Sequence, residues 1–192
     1  MVAHARLRQL LAPLLGIAPS QVEFSAGEHG KPRLAGIAAG SDLHFNLSHS
    51  GAVGLIGWAR GREIGVDVEV WRPMSDEAAL VRRYFSPAEI TAYEALPAAQ
   101  RTEGFFNCWT RKEAYIKAIG RGLGLPLDSF DVSIDSGPAA RLLRPSGLFE
   151  DGRQWSLTAP VLASQLSLAV VLESRQVCAV DAMCKEQSLP WP

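Results

Sequence analysis

The chain has 192 residues, of which 47% are hydrophobic and 20% are charged, and its formal net charge is −1. This composition is typical of a globular protein whose core needs no disulfides, and the near-neutral charge argues against a general nucleic-acid or membrane-surface binder. Cys108, Cys178 and Cys184 are too few and too irregularly spaced for a disulfide framework or a zinc site. We therefore expect a reducing, cytoplasmic location.

The pattern of apolar residues predicts an α+β chain. The first 15 residues carry leucines at helical spacing and end at Gly16, which favours an amphipathic helix over a signal peptide. Short strands follow, then two helices, and strands resume after the second helix, which is the longest of the chain. We predict helices at 86–96 and 98–119, and strands at 22–24, 43–47, 53–58, 64–70, 130–134, 139–143, 155–158 and 166–172.

The strand predicted at 64–70 carries two carboxylates on one face. Alternation along the strand places Asp67 and Glu69 side by side, about 7 Å apart, with the valines on the other face. Two like charges at this distance are tolerated if the face is solvated or if a cation lies between them, and oxygen ligands of this kind suit Mg²⁺. The pair alone leaves both interpretations open.

The longest predicted helix has charged residues on its apolar stripe, with Lys112 in the middle and Glu113 at the edge. In the simplest interpretation Glu113 and Lys117, four residues apart, form a surface ion pair, which leaves Lys112 unexplained. If the stripe faces the sheet, Glu113 joins Asp67 and Glu69 as a third carboxylate. Lys112 and Lys117 would then lie beside this cluster and could bind phosphate.

Two further segments favour a phosphate ligand. The chain has only four lysines against 15 arginines, and Lys31 lies in the turn EHGKPR, next to Pro32 and Arg33; an exposed turn lysine is the alternative. The segment FNLSHSG contains Ser48 and His49, a hydroxyl and an imidazole that suit phosphate oxygens. The sequence has no GxSxG elbow, Walker loop, GxGxxG or HExxH motif.

Five motifs in order resemble the 4'-phosphopantetheinyl transferases of the surfactin-synthetase-activating type. In that family a Mg²⁺ ion holds the pyrophosphate of coenzyme A. A serine hydroxyl of an apo acyl or peptidyl carrier protein attacks the β-phosphorus, and adenosine 3',5'-bisphosphate is released. The motifs are GKP at 30–32, FNLSHS at 45–50, GVDVE at 65–69, WTRKEAYIKAIGRGL at 109–123 and LPLDSF at 125–130.

The resemblance implies a role for each matching residue. Asp67, Glu69 and Glu113 are the implied ligands of Mg²⁺, or of Mn²⁺. Glu113 and Lys117 are the implied catalytic residues, the first as base and the second as phosphate clamp. Family members often have a glutamate near the site at the position of Glu89. Here its capping role at the start of the helix is a sufficient explanation for the residue, and a role in the site stays open. The implied coenzyme-binding residues are Lys31, Pro32, Arg33, Ser48, His49, Lys112 and Lys117.

The family fold implied for this chain is α+β, with two similar halves related by a pseudo-twofold and the active site between them. The halves would span 1–65 and 66–175, followed by a tail at 176–192. Family members carry further residues ahead of the first helix, so we expect an incomplete first half without its N-terminal strand. The helix at 86–96 falls where the carrier protein is expected to bind. A monomer without nucleic-acid or membrane partners is implied; which carrier is modified stays open.

Two other functions use the same residues. A Mg²⁺-dependent nuclease or phosphohydrolase would use the three carboxylates and Lys117 to activate water, but it predicts a basic groove that the charge balance disfavours. A truncated, non-catalytic homologue would bind coenzyme A or a carrier protein without turnover.

Overall fold

The computed structural model describes residues 2–27, 29–136, 140–144 and 153–174. In this part of the chain one helix is followed by five strands, three helices and four further strands. Such separate runs of helices and strands are typical of the predicted α+β class. The helices are α1 (Val2–Leu15), α2 (Glu77–Tyr84), α3 (Pro87–Glu94) and α4 (Arg101–Ile119). The strands are β1 (Glu23–Ala26), β2 (Pro32–Ala35), β3 (Leu43–Ser50), β4 (Val53–Arg60), β5 (Ile64–Val70), β6 (Asp131–Val132), β7 (Leu142–Arg144), β8 (Gln154–Thr158) and β9 (Leu166–Ser174).

The strands pair antiparallel in small sheets. β1 pairs with β2, β3 with β4, and β6 with β7, while β5, β9 and β8 form a three-stranded sheet in that order. Among the described residues, β9 is the one strand that pairs with β5 through backbone hydrogen bonds, and β3 lies beside the other edge of β5 without such pairing. The α+β prediction is confirmed, and the division into halves at residue 65 stays a prediction.

The β3–β4 hairpin separates two apolar clusters. Leu43 and Phe45 on one face of β3 pack against Leu7 and Leu11 of α1, which are 1% and 0% exposed. The alternate positions of β3 point the other way, toward β5. On that side, Ala59, Ile64, Val66 and Leu172 form a second cluster that joins the hairpin to the three-stranded sheet.

Helix α4 packs on β5 and β9 and carries the largest core. Its buried face includes Phe105, Tyr115 and Ile116, which lie among the side chains of β9, α3 and the segment around Phe130. The helix ends at Gly120, whose φ of 76° is the left-handed conformation that favours glycine at a helix C-terminus. The glycine therefore stops the helix where the sequence pattern predicted.

Gly65 lets α4 lie directly on β5. A Cβ at this position would be 2.1 Å from the carbonyl oxygen of Ala114 and 2.2 Å from the backbone nitrogen of Ala118. No side chain fits in that space, so glycine is required for this helix–strand distance. The close approach also sets which α4 side chains reach the strand.

Several sequence predictions are confirmed and two elements were missed. The strand at 64–70 is β5, and the helix predicted at 98–119 is a 3₁₀ turn at Ala98–Gln100 followed by α4. The sequence analysis missed β2, a short strand that begins with proline, and α2. Ser75 and Asp76 ahead of Glu77 are a helix-start signal that could have indicated α2. The tail at 176–192 and Ala139 lie outside the described residues.

In the part of the chain that the structure describes, no helix has both the length and the apolar character needed to cross a membrane.

Gly65→Ala is expected to lower the free energy of unfolding by about 3 kcal/mol, because the new methyl group forces α4 away from β5. Urea denaturation followed by circular dichroism measures the change. Gly40→Ala is the matched control: a Cβ there has nothing within 4 Å, so stability should change by less than about 0.5 kcal/mol. Equal stability of the two variants would contradict the close packing at Gly65.

Candidate active site

Polar side chains of β3 lie along the open edge of β5. Asn46 Oδ1 accepts a hydrogen bond from the backbone nitrogen of Val66 at 2.8 Å, and Ser50 Oγ accepts one from Val70 at 3.1 Å. Between them, Ser48 Oγ donates to Asp67 Oδ1 at 2.7 Å. The contacts advance along both strands in the same direction, so side chains of β3 take the place of a neighbouring strand.

Asp67 is the most buried of the carboxylates in this region, at 3% exposure. Its Oδ1 lies 2.6 Å from Lys117 Nζ, and Lys117 also donates to Ser48 Oγ at 3.0 Å. Its Oδ2 is buried and has no hydrogen-bond partner among the described residues. Because this side chain is out of solvent, the interpretation of a solvated acidic face is wrong for Asp67.

Glu69 lies two residues further along β5, near the end of the strand. Ser50 Oγ donates to Glu69 Oε2 at 2.7 Å, and Arg72 Nη1 lies 3.3 Å from the same oxygen. The Glu69 side chain is 20% exposed, against 5% for the Asp67 side chain. The two carboxylates therefore have different surroundings: a lysine holds the buried one, and a serine and an exposed arginine hold the other.

Glu113 and Lys117 are one helical turn apart on the side of α4 that faces β5. The sequence alone allowed a surface ion pair between them, but the lysine contacts Asp67 instead. Burial raises the pKa of Glu113, and the negative charges of Asp67 and Glu69 raise it further against the opposing effect of Lys117. Helix α4 therefore turns Glu113 toward β5, where the charges of both strand carboxylates act on it, and the three-carboxylate metal site stays a prediction.

Burial is also the main reason why the pKa of Asp67 is raised. The ion pair with Lys117 and the hydrogen bond from Ser48 oppose this shift, and the charge of Glu69 adds to it. The pKa values of Asp67 and Glu113 are thus both raised, which means that their surroundings disfavour two ionised carboxylates side by side. Such sites are typical of functional centres that bind a cation or accept a proton.

The donor chemistry of this cluster fits a hard divalent cation. Carboxylate oxygens are the preferred protein ligands of Mg²⁺, and Asp67 Oδ2 is a buried oxygen without a hydrogen bond. Among the described residues, however, no three His, Cys, Asp or Glu side chains are arranged to hold a metal ion. In this arrangement, Lys117 supplies the positive charge beside Asp67.

A cleft of about 260 Å³ opens beside the carboxylates. Glu113 and Lys117 of α4 form one wall. Lys31 and Pro32, from the predicted phosphate-binding turn, are on the opposite wall with Asn46. The structure thus brings two of the predicted coenzyme-binding segments to the same opening.

Lys31 already has three acceptors for its ammonium group. Its Nζ lies 2.7 Å from Glu63 Oε2, 3.0 Å from the carbonyl oxygen of Ile64 and 3.2 Å from that of Ala118. Burial lowers the pKa of Lys31, and the contact with Glu63 opposes that effect. The lysine is therefore no exposed turn residue: it ties the β1–β2 turn to the start of β5 and the end of α4.

Arg33, Ser48 and His49 differ in exposure and direction. The Arg33 side chain is 55% exposed and its Nη2 lies 3.4 Å from Glu63 Oε1. Ser48 points to Asp67, whereas His49, the next residue of β3, is exposed and lies on the opposite face of the strand. These three predicted coenzyme-binding residues are therefore not gathered at one point.

Lys112 is not in the cleft. Its side chain is 0% exposed, and its Nζ lies 2.7 Å from Glu89 Oε2, 2.6 Å from the carbonyl oxygen of Leu127 and 2.7 Å from that of Phe130. All three N–H groups are used inside the core, so the structure does not support the predicted phosphate contact. The charged residue on the apolar stripe is explained by a buried partner on α3.

Glu89 combines this ion pair with the predicted capping box. Ser86 Oγ accepts from the backbone nitrogen of Glu89, and Glu89 Oε2 accepts from that of Ser86. Glu89 Oε1 accepts from the backbone nitrogen of Val132 at 2.8 Å. The residue thus connects α3, α4 and β6, and it is 2% exposed.

Sequence reasoning missed the roles of Asn46, Ser50 and Glu63. Asn46 and Ser50 share the spacing of Ser48 along β3, so strand alternation could have placed all three toward β5. No sequence pattern relates Glu63 to Lys31, because their contact depends on how the β1–β2 turn packs against the start of β5.

Lys112→Met is expected to lower the free energy of unfolding by about 3–5 kcal/mol, since it leaves the Glu89 carboxylate buried without its partner. The double variant with Glu89→Gln as well should recover part of the loss, because no unpaired charge remains. Urea denaturation of wild type and of the two variants measures both effects. A Lys112→Met protein as stable as the wild type would refute a structural role for the pair.

Glu113→Gln is expected to stabilise the metal-free protein at neutral pH by about 1 kcal/mol, or about 2–4 °C in Tm. A carboxyl pKa raised on folding penalises the folded state once the group ionises. The penalty therefore appears as pH rises above the ordinary value of 4.5 and is absent below it. Thermal unfolding from pH 4 to pH 8 tests this, and a gain independent of pH would exclude the electrostatic explanation.

Comparison with known proteins shows which family the chain resembles. The model of the 4'-phosphopantetheinyl transferase superfamily matches residues 63–171. The 4'-phosphopantetheinyl transferase HetI of Nostoc sp. is 40% identical over 136 residues, which are 71% of this chain and 57% of that protein. A putative 4'-phosphopantetheinyl transferase of Synechocystis sp. is 34% identical over 194 residues, covering 97% and 77%.

The 4'-phosphopantetheinyl transferase Sfp of Bacillus subtilis is 36% identical over 134 residues, which are 70% of this chain and 57% of Sfp. The chain thus spans somewhat more than half the length of HetI and Sfp. The matched segment contains β5 and α4, and with them Asp67, Glu69, Glu113 and Lys117. The resemblance seen in the motifs is confirmed, and the chain belongs to the 4'-phosphopantetheinyl transferase superfamily.

Proposed function

We propose that the protein transfers the 4'-phosphopantetheine arm of coenzyme A to a serine of an apo acyl or peptidyl carrier protein, in a Mg²⁺-dependent reaction. The observation that carries the proposal is that Glu113 and Lys117 line one cleft and that Lys117 is ion-paired with Asp67 of β5, all within the segment that the family model matches. Phosphoryl-type transfer requires mainly positioning and neutralisation of charge, which carboxylates with a cation and a lysine supply.

The metal would be held by Asp67, Glu69 and Glu113. When bound, Mg²⁺ or Mn²⁺ neutralises the pyrophosphate of the coenzyme and makes its β-phosphorus more electrophilic. Asp67 contributes the buried Oδ2, and Glu69 is already oriented by Ser50.

Glu113 is the proposed base. Its carboxylate lines the cleft, where it is proposed to accept the proton from the attacking serine. As that Oγ–H proton passes to Glu113, directly or through water, the serine oxygen forms a bond to the β-phosphorus. The bond from this phosphorus to the bridging oxygen breaks, and adenosine 3',5'-bisphosphate leaves with the electron pair.

Lys117 would stabilise the charge on the leaving phosphate. Its ammonium, 28% exposed at the side chain, lies between Asp67 and the cleft. The cleft is also lined by Lys31 and Pro32, and Ser48 borders it through its contact with Lys117. The exposed side chains proposed to bind the outer phosphates of the coenzyme are Arg33 and His49. Lys31 would have to exchange an existing contact for a phosphate. We also propose a reducing, cytoplasmic location, and a monomer.

The experiment is the intact mass of a recombinant apo carrier protein after incubation with this chain, coenzyme A and Mg²⁺. A gain of about 340 Da, one phosphopantetheine arm, is expected. Glu113→Ala should abolish the gain, and Glu23→Ala, an exposed glutamate of β1, should leave it unchanged.

Other outcomes separate the alternatives. If several carriers gain no mass while coenzyme A still raises Tm, the protein is a non-catalytic binder. If coenzyme A changes neither mass nor Tm, the proposed function is wrong.

A further inference from the structure

Ser50 makes two hydrogen bonds that fix the direction of its hydroxyl. Its Oγ accepts from the backbone nitrogen of Val70 at 3.1 Å and donates to Glu69 Oε2 at 2.7 Å. The residue is 9% exposed, so water has little access to it. The N–H of Val70 can only donate, so the hydroxyl accepts from it and directs its single O–H at the carboxylate.

These contacts give the two carboxylate oxygens of Glu69 different surroundings. Oε2 receives Ser50 and lies near Arg72, whose side chain is 57% exposed. For Oε1 the described part of the chain offers no hydrogen-bond donor. An exposed arginine holds a carboxylate weakly because solvent screens the pair and the long side chain is mobile. The buried hydroxyl is therefore the group that orients Glu69.

The same arrangement recurs one step back along the strands, where Ser48 donates to Asp67. There, however, Lys117 binds the same Oδ1 at 2.6 Å and provides a second, charged partner. Among the described residues, no lysine contacts Glu69. The orientation of the Glu69 carboxylate therefore depends more on Ser50 than the orientation of Asp67 depends on Ser48.

We propose that Ser50 is a positioning residue that holds Glu69 with Oε1 available to a divalent cation. The proposal rests on the proposed function, since it assumes that Glu69 is a metal ligand. Hydrogen bonds to the ligands of a metal typically change metal affinity or activity by about 10–100-fold. Ser50 itself touches neither the metal nor the substrate.

The test is a titration of Mn²⁺ into the protein with coenzyme A present, followed by the EPR signal of the unbound ion. Ser50→Ala should raise the Kd for Mn²⁺ by about tenfold or more. Ser50→Thr, which keeps the hydroxyl, should stay within about threefold of wild type. In the mass assay, Ser50→Ala should need more Mg²⁺ for half-maximal rate and should regain most of the rate at saturating Mg²⁺.

The matched control is Ser156→Ala. Ser156 also lies on a strand and donates to a backbone oxygen, that of Leu172, at 3.3 Å, but it belongs to β8, away from the cleft. Both alanine variants are expected to lower Tm by only a few degrees in EDTA. The control should bind Mn²⁺ like wild type.

Two results would overturn the proposal in distinguishable ways. If wild type and Ser50→Ala bind Mn²⁺ equally, Ser50 does not position Glu69 and the metal site stands. If wild type binds no Mn²⁺ with coenzyme A present, the metal site of the proposed function fails, and the role of Ser50 fails with it.

Discussion

The close contact of α4 with β5 is the constraint on which the site depends. At Gly65 the helix backbone lies where any Cβ would be, so the helix axis is as near to the strand as the backbones allow. Two residues further along β5, this distance lets Lys117 reach Asp67 and brings Glu113 into the field of both strand carboxylates. A glycine without chemical function of its own thus sets the reach of the reactive groups.

The two lysines of α4 show how burial decides the role of a charge. Lys112 and Lys117 are little more than one turn apart, but the first points into the core toward Glu89 and the second points along β5 to the cleft. The buried pair has every N–H group of Lys112 satisfied, as a charge in the core must be. Lys117 keeps more than a quarter of its side chain exposed and can exchange partners. One helix therefore carries a fully buried cation in the core and a partly exposed one at the candidate site.

The sequence predicted those features that depend on local periodicity. Alternation over Ile64–Val70 predicted the strand and the common face of Asp67 and Glu69, and the glycine after Ile119 predicted the end of the helix. Pairings between distant segments were not predictable in this way. The partner of Lys112 lies on another helix, and the contact of Lys31 with Glu63 requires the β1–β2 turn to pack against the residue that precedes β5.

The side chains along β5 have a consequence for the solution behaviour of the protein. An unpaired strand edge presents backbone groups that can recruit a strand from another molecule. Here Asn46 and Ser50 occupy two of the backbone N–H groups of that edge, at Val66 and Val70. Side chains that lie beside the candidate site thereby also occupy backbone groups through which a strand of another molecule could pair with β5.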